Sequence, residues 1–249
     1  MLVVGASSGI GSEVASQLSA KGAHVVACAR RKERIEALPG VSPLECDVQD
    51  PTQCAAVVAD AVHIIGGLDA LVYVAGITRI TPLERSGYDD WLEIFATNVF
   101  GAALIARAAI PSLTSDDSQS RALFITSDAA TLAMPGLVSY AASKAALARF
   151  CQGLAVEFPT LTVTEVVVGP TAGTEVTDKL EQEEFIQWAT RWYEEGYIRH
   201  GMLHSTDVAK MIVETLLSNS PPAQLIAAAP AEETAPSLEE SRRQAEARS

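Results

Sequence analysis

Positive charge is scarce in this chain. Its 249 residues carry 18 lysines and arginines against 31 aspartates and glutamates, a formal net charge of −13. Phosphate backbones are held by basic surfaces, so this balance excludes nucleic acid as an expected partner. Paired cysteines are lacking too. Cys28, Cys46, Cys54 and Cys151 are scattered, without the C-x-x-C spacing of a redox pair or a zinc knuckle. They read as buried thiols in a reducing cytoplasm. The four histidines, His24, His63, His200 and His204, show no ligand spacing, so no metal site is expected. No apolar run approaches about eighteen residues, the length of a membrane span. The best candidate, GAALIARAAIPSL, is interrupted by Arg107 and Pro111. MLVVGASSGIG enters a glycine-rich turn at once, leaving no room for a charged region, an apolar stretch and a cleavage site. A cytoplasmic protein without membrane contact is the expectation.

What the chain does have is apolar content, at 48% of residues, in a strand–helix rhythm. Leu2 to Val4 reads as a first strand, followed by GASSGIG. Ile10, Val14 and Leu18 then repeat at helical spacing until Gly22, and HVVACA (24–29) forms the next strand. A short charged helix from Lys32 to Leu38 precedes a strand at PLECDV (43–48). A helix from Thr52 to Ile65 leads into LDALVYVAG, whose continuous apolar run suits a strand buried on both faces. A long helical region over 88–113 is expected to bend near Asn98 to Gly101. The strand ALFIT (122–126) ends beside Ser127, and a helix runs from Tyr140 to Phe158 with its stripe at Leu147, Cys151 and Leu154. The strand TVTEVVV (162–168) reaches Gly169-Pro170. Residues 170–204 contain no clear strand but hold Trp188, Trp192, Tyr193 and Tyr197. A helix over 205–217, with Ser205 or Thr206 as its cap, and the strand AQLIAA (223–228) close the pattern. Alternation of this kind predicts one α/β domain over 1–228 with a doubly wound parallel sheet. The segment 170–204 is read as a substrate lid and 229–249 as a mobile tail.

The unit strand, glycine turn, helix, strand is the setting a dinucleotide-binding turn requires. Glycines let backbone approach a pyrophosphate whose charge sits at a helix N-terminus. A second signal is the pair Tyr140 and Lys144, four residues apart and so on one helix face, with Ser127 upstream. A phenol and an ammonium so placed form a proton-transfer device. A free phenol has a pKa of about 10, and a nearby ammonium is expected to lower it.

GASSGIG (5–11), Asp47-Val48, VAG (74–76), Asn98, Ser127, Tyr140-x-x-x-Lys144 and Gly169-Pro170, in this order and spacing, resemble the short-chain dehydrogenase/reductase family in its short single-domain form. The resemblance covers about residues 1–228. It implies a Rossmann fold, a three-layer α/β/α sandwich, and hydride transfer between a nicotinamide cofactor and a small carbonyl or alcohol substrate. Tyr140 would be the general acid/base and Ser127 would hydrogen-bond the substrate oxygen. Lys144 would hold the nicotinamide ribose, and Asn98 would fix a water linking that lysine to solvent. Cofactor contacts would come from Gly5, Ser7, Ser8, Gly9, Ile10, Gly11, Asp47, Val48, Ala75, Gly76, Gly169 and Thr171, with Tyr140 and Lys144. Asp69 would tie the sheet together structurally. Relatives assemble through helices near 97–113 and 140–158 and the last strand, which implies a homodimer or homotetramer.

The end of the second strand bears on which nicotinamide is used. Ala29 stands where a carboxylate would select NAD(H), and Arg30 and Arg31 follow. Arginine forks suit a 2′-phosphate, so NADP(H) is expected over NAD(H), with Arg30 the main contact and Arg31 beside it. Three departures from the family pattern stand out. Tyr73 replaces the asparagine of Asn-x-Ala-Gly, Val168-Gly169 replaces the usual Pro-Gly order, and Asp128 follows Ser127, where it is expected to face solvent. The alternative from another class is a non-catalytic NADP(H)-binding sensor or scaffold, whose mark would be loss of the tyrosine or lysine; both are present.

Overall fold

The computed structural model of the chain describes residues 1–115, 119–174, 182–198 and 201–228. The tail expected over 229–249, His200 and parts of the lid lie outside these residues. Seven strands form one sheet: β1 (Leu2–Val4), β2 (Val25–Ala29), β3 (Val41–Glu45), β4 (Ala70–Tyr73), β5 (Arg121–Ile125), β6 (Thr162–Val168) and, last in the chain, β9 (Gln224–Ala227). Their order is β3-β2-β1-β4-β5-β6-β9, and every pairing is parallel. The order reverses between β1 and β4, where the crevice beyond the strand ends receives ligands in open α/β sheets.

Helices cover both faces. On one lie α1 (Gly9–Ala20) and α8 (Ser205–Leu217), which bury Val14, Leu18, Ile212 and Leu216 against Val3, Ala27, Val72 and Leu123. On the other, α3 (Pro51–Ile65), α5 (Gly101–Leu113) and α6 (Val138–Glu157) bury Val57, Ile105, Leu147 and Cys151 against Leu71, Tyr73 and Phe124. Alternate strand residues thus serve opposite layers. The remaining helices are α2 (Lys32–Ile35), α4 (Tyr88–Phe95) and α7 (Gln182–Glu194). All four cysteines are free and buried.

Three local differences from the sequence expectations have clear causes. First, α4 and α5 join through a π-turn, Ala96–Phe100, into a continuous helical stretch, Tyr88–Leu113. That stretch is long and apolar enough to cross a membrane by length and composition, but Ile105, Ala106 and Ala109 pack it on the sheet. Second, 170–204 holds two short parallel strands, β7 (Thr171–Ala172) and β8 (Leu203–His204), too short to leave an alternating pattern. Third, α8 begins at Ser205 itself. Its cap position is His204, which makes no side-chain capping bond, so neither Ser205 nor Thr206 caps the helix.

Candidate active site

The glycine turn sits where β1 delivers the chain to α1. Gly5 has φ of +91°, and a Cβ there would lie 2.5 Å from Ala75 N, so only glycine lets the turn close on the strand-end VAG segment. Gly5 N and Ala6 N both bond Cys28 O, while Val74 N and Ala75 N both bond Val4 O. These bonds bind the ends of β2, β1 and β4 into one rim. Ser8 caps α1 by position only, without a side-chain bond, so its hydroxyl leaves the first-turn amides of Gly9, Ile10 and Gly11 uncapped. At the end of β2, Arg31 Nη2 donates to Ser7 Oγ at 3.2 Å, which brings the basic pair to the turn; Arg30 is exposed beside it. Asp47 Oδ1 accepts from Gln49 N at 3.0 Å, and Val48 O accepts from Cys54 Sγ. The strand-end loop after β3 is thereby fixed.

Asn98 stands in the middle of the π-turn. Such bulges leave a carbonyl out of the helical ladder and are frequent at functional sites. The asparagine is fully buried and three bonds are formed by its amide. Its Oδ1 accepts from Ile77 N at 2.8 Å, and its Nδ2 donates to Ile77 O at 3.0 Å and to Ser143 Oγ at 2.9 Å. Ser143 Oγ in turn donates to Tyr140 O at 2.7 Å. Asn98 therefore clamps the loop after β4 to the first turn of α6. Ser143 has a positioning part that the sequence reading missed. Its only signal was its place between Tyr140 and Lys144.

Tyr140 is the third residue of α6, and Lys144 follows one turn later on the same face, as the four-residue step requires. The Lys144 ammonium lies 5.7 Å from the centre of the Tyr140 ring and donates to Ile125 O at 2.8 Å. A Cβ on Gly76 would stand 3.3 Å from Lys144 Nζ and 3.4 Å from Asn98 Oδ1, so the VAG segment, the lysine and the asparagine meet at one point. Burial brings the Lys144 ammonium down to about 8, with Cys151 opposing. Burial also pushes the Tyr140 phenol up to about 12; Ser127 opposes this by hydrogen bonding, and the Asp128 charge adds to it. The expectation that Lys144 would lower the phenol's pKa is not met in this arrangement. Desolvation of the hydroxyl outweighs an ammonium that sits over the ring rather than at the oxygen. At neutral pH Tyr140 holds its proton and is a donor.

Ser127 ends the chain's exit from β5, just before a single 3₁₀ turn, Asp128–Ala130. Its Oγ accepts from Ala129 N at 3.2 Å and donates to Asp128 Oδ1 at 3.0 Å. The Asp128 carboxylate is therefore not turned to solvent as expected. Its Oδ2 lies 3.7 Å from where a Cβ on Gly169 would stand. Gly169 N bonds Ala227 O, and Thr171 Oγ1 donates to Gly169 O at 2.9 Å, closing the far side of the crevice. Gly9 and Gly173–Thr174 approach one another there as well. Over this centre, α7 docks through Trp192 Nε1, which donates to Pro135 O at 2.9 Å. Phe185, Trp188, Trp192 and Tyr197 form an apolar cluster that includes Tyr140 and Leu137. Asp69 contributes a backbone bond, Arg121 N to Asp69 O at 3.0 Å, between β4 and β5. Among the described residues no group of three or more His, Cys, Asp or Glu side chains could hold a metal ion.

The short chain dehydrogenase family model matches residues 1–184. The chain belongs to that family. It is 35% identical over 167 residues to 11-beta-hydroxysteroid dehydrogenase 1A of Arabidopsis thaliana, covering 63% of this chain and 47% of that protein. Thus the chain spans about half the length of the first curated relatives it matches. It is 32% identical over 189 residues to a 3-oxoacyl-(acyl-carrier-protein) reductase of Rickettsia bellii, covering 74% of this chain and 76% of that protein. Among solved structures it resembles a short-chain dehydrogenase from Streptomyces avermitilis, with a TM-score of 0.78 and 25% identity over 99% of this chain and 91% of that one. A serine dehydrogenase complexed with NADP+ shares the fold, with a TM-score of 0.80 at 21% identity over 94% of this chain and 97% of that one.

Proposed function

We propose that the protein is an NADP(H)-dependent oxidoreductase that reduces a carbonyl, or oxidises the corresponding alcohol, with Tyr140 as general acid/base. The observation that carries this reading is the convergence of Tyr140, Lys144, Ser127 and the Asn98 clamp at the rim built by the glycine turn. The residues present fit a dinucleotide. The close approach of Gly5 to Ala75 and the uncapped amides of α1 suit a pyrophosphate, and Arg31 bonded to Ser7 suits a 2′-phosphate. Gly5, Ser7, Ser8, Gly9, Ile10, Gly11, Arg30, Arg31, Asp47, Val48, Ala75, Gly76, Gly169 and Thr171 would hold it, with Lys144 at the nicotinamide ribose. When bound, such a group supplies the hydride.

The chain's own part is position and proton. Tyr140 carries its proton at neutral pH, so it gives that proton to the oxygen of a carbonyl under reduction. Ser127 bonds the same oxygen and stabilises the charge that develops there. Lys144, held over the Tyr140 ring and bonded to Ile125 O, places a positive charge at the point where the nicotinamide ribose would lie. The aromatic roof of Phe185, Trp188 and Tyr197 next to Tyr140 excludes water and suits an apolar or ring-bearing substrate. A cytoplasmic homo-oligomer is the corresponding cellular form.

A panel of ketones, aldehydes and secondary alcohols, followed by NADPH absorbance, tests the reading. Turnover is expected with wild type and lost in Tyr140→Phe, which should keep fold and NADPH binding. Tight NADPH binding without turnover across the panel would favour the sensor alternative.

A further inference from the structure

Trp188 and Trp192 stand one turn apart on α7 with 6.1 Å between ring centres, but they are held differently. Trp192 is 6% exposed and its Nε1 donates to Pro135 O at 2.9 Å, so it anchors the helix. Trp188 is only partly buried. The far edge of its ring lies against the chain that leads into α6. A Cβ on Gly136 would stand 3.1 Å from Trp188 Cη2 and Cζ3, and 3.2 Å from Ile80 Cγ2. The ring is thus fixed along that edge, in one cluster with Tyr140, Met134, Phe185 and Tyr197, each of them still partly exposed. Apolar surface left open beside the proposed acid/base is surface that a substrate would cover.

The charges around this surface set a second condition. Arg79, next to Ile80, pairs with Glu93 and, at 3.3 Å, with Asp90. Arg191, next to Trp192, lies 5.6 Å from the Trp188 ring centre and pairs with Glu195 at 2.8 Å. The Lys144 ammonium donates to Ile125 O. Acids are present by contrast: Asp128 is bonded to Ser127, and Glu183 and Glu194 are exposed on α7. A substrate carboxylate would give up its water here for acidic neighbours and for cations already engaged. We propose that Trp188 is a specificity-determining residue: its ring is the platform for one face of a substrate ring, and the site takes an uncharged cyclic ketone or its alcohol while rejecting a carboxylate-bearing one. The proposal deepens the oxidoreductase reading and rests on it for the place of the substrate oxygen.

The test is equilibrium binding to the full chain, with and without NADP+, so that a ketone has no hydride to receive. The probes are methyl 4-oxocyclohexanecarboxylate, the matching free carboxylate, and butanone, which has no ring. In protein carrying nitrogen-15 tryptophan, the indole signals of Trp91, Trp188 and Trp192 are each assigned by the corresponding phenylalanine variant. Trp91, whose Nε1 donates to Ser86 Oγ beside α4, serves as the remote control. The Trp188 signal is expected to move saturably with the ester, and the carboxylate to bind about tenfold or more weakly. Ligand-observed saturation-transfer NMR then gives affinities for the variants. Trp188→Ala should weaken the ester about three- to tenfold, with Trp188→Phe and the butanone affinity staying within about twofold of wild type. A merely structural Trp188 would instead weaken ester and butanone alike. That equal loss, ester and carboxylate affinities within about twofold of one another, or a Trp188 signal that ignores the ester would each overturn the proposal. If Trp188→Ala does not fold by near-ultraviolet circular dichroism, Trp188→Leu takes its place. Because no turnover is measured, ring binding without catalysis would defeat only the oxidoreductase reading. A carboxylate that binds as well as its ester would defeat only this one.

Discussion

The Tyr73 hydroxyl donates to Thr97 O at 2.6 Å, deep in the core, and joins the last residue of β4 to the π-turn that carries Asn98. A π-turn skips a rung of the helical ladder and leaves a carbonyl without an amide partner. Burying such a carbonyl unpaired costs about 1–3 kcal/mol. Tyr73, fully buried, removes that cost from across the layer. The residue that departs from the family pattern at this position therefore supports the turn on which Asn98 stands.

Tyr73→Phe is accordingly expected to destabilise the fold by about 1–2 kcal/mol. The ring and its contact with Phe124 persist, so packing changes little. The check is urea unfolding, in which the midpoint should fall at an unchanged slope. No shift in midpoint would mean that Thr97 O finds another donor.

The Asn98 clamp predicts a graded pair of effects. Ser143→Ala removes one bond to Asn98 and one to Tyr140 O, whereas Asn98→Ala removes the partners of Ile77 N and Ile77 O and the donor to Ser143 Oγ together. With net hydrogen-bond values near 1 kcal/mol, Ser143→Ala should cost about 1 kcal/mol and Asn98→Ala about 2–4 kcal/mol. Thermal or urea unfolding of both variants measures this, and equal costs would count against the clamp.

Much of this site was legible in the residues, and the reasons are local. A four-residue step fixes Tyr140 and Lys144 on one face of any helix, and a glycine turn between strand and helix has few other uses. A long helical region over 88–113, irregular near Asn98, was legible; that the irregularity is a π-turn within one continuous stretch was not. Other features needed the third dimension. Nothing near Tyr73 in sequence announces a partner at Thr97, twenty-four positions away. Asp128 could be read as a solvated acid because its choice of partner depends on the tight turn after Ser127. The direction of the Tyr140 shift failed for a similar reason: spacing reveals a neighbouring ammonium, but burial of the hydroxyl decides the balance.

Lys144 gives a pH signature of stability. Its ammonium is pushed down to about 8 in the fold, chiefly by burial, against an ordinary value of 10.5. Below pH 8 folded and unfolded chains both bind the proton, and the fold bears the whole cost of a buried charge. Between pH 8 and 10.5 the unfolded chain binds more protons than the folded one, so stability rises with pH. Lys144→Met removes this dependence. The stability of wild type relative to Lys144→Met should therefore increase by about 2 kcal/mol from pH 7 to pH 9.5. Urea unfolding of both proteins at the two pH values tests the sign, and the subtraction cancels every other titrating group.

The arginine pair predicts cofactor discrimination. Arg31 reaches Ser7 in the glycine turn, and Arg30 stands exposed next to it. Losing a guanidinium that contacts a 2′-phosphate removes a charge-assisted bond worth about 1.5–3 kcal/mol. Arg30→Ala and Arg31→Ala should each weaken NADPH binding about tenfold or more while changing NADH binding little. Fluorescence titration with both dinucleotides gives the ratio. An equal loss for both cofactors would place the arginines at the shared part of the dinucleotide instead.

Gly101, the first residue of α5, supplies a coupled test of the Tyr73 support. A Cβ there would lie 2.6 Å from the Tyr73 hydroxyl and 2.9 Å from Val48 O, distances at which atoms have to move. Gly101→Ala should thus cost more than the helix propensity it gains, by about 2 kcal/mol, since it pushes the hydroxyl off Thr97 O as well as crowding the β3 loop. Combining it with Tyr73→Phe removes the atom the new methyl strikes. The bond to Thr97 is then lost only once, so the double variant should be less destabilised than the sum of the singles by about 1 kcal/mol. The residual cost reports the clash with Val48 O, which the second substitution does not relieve. Strict additivity in this cycle, measured by urea unfolding, would mean that the hydroxyl and the Gly101 backbone do not compete for the same space.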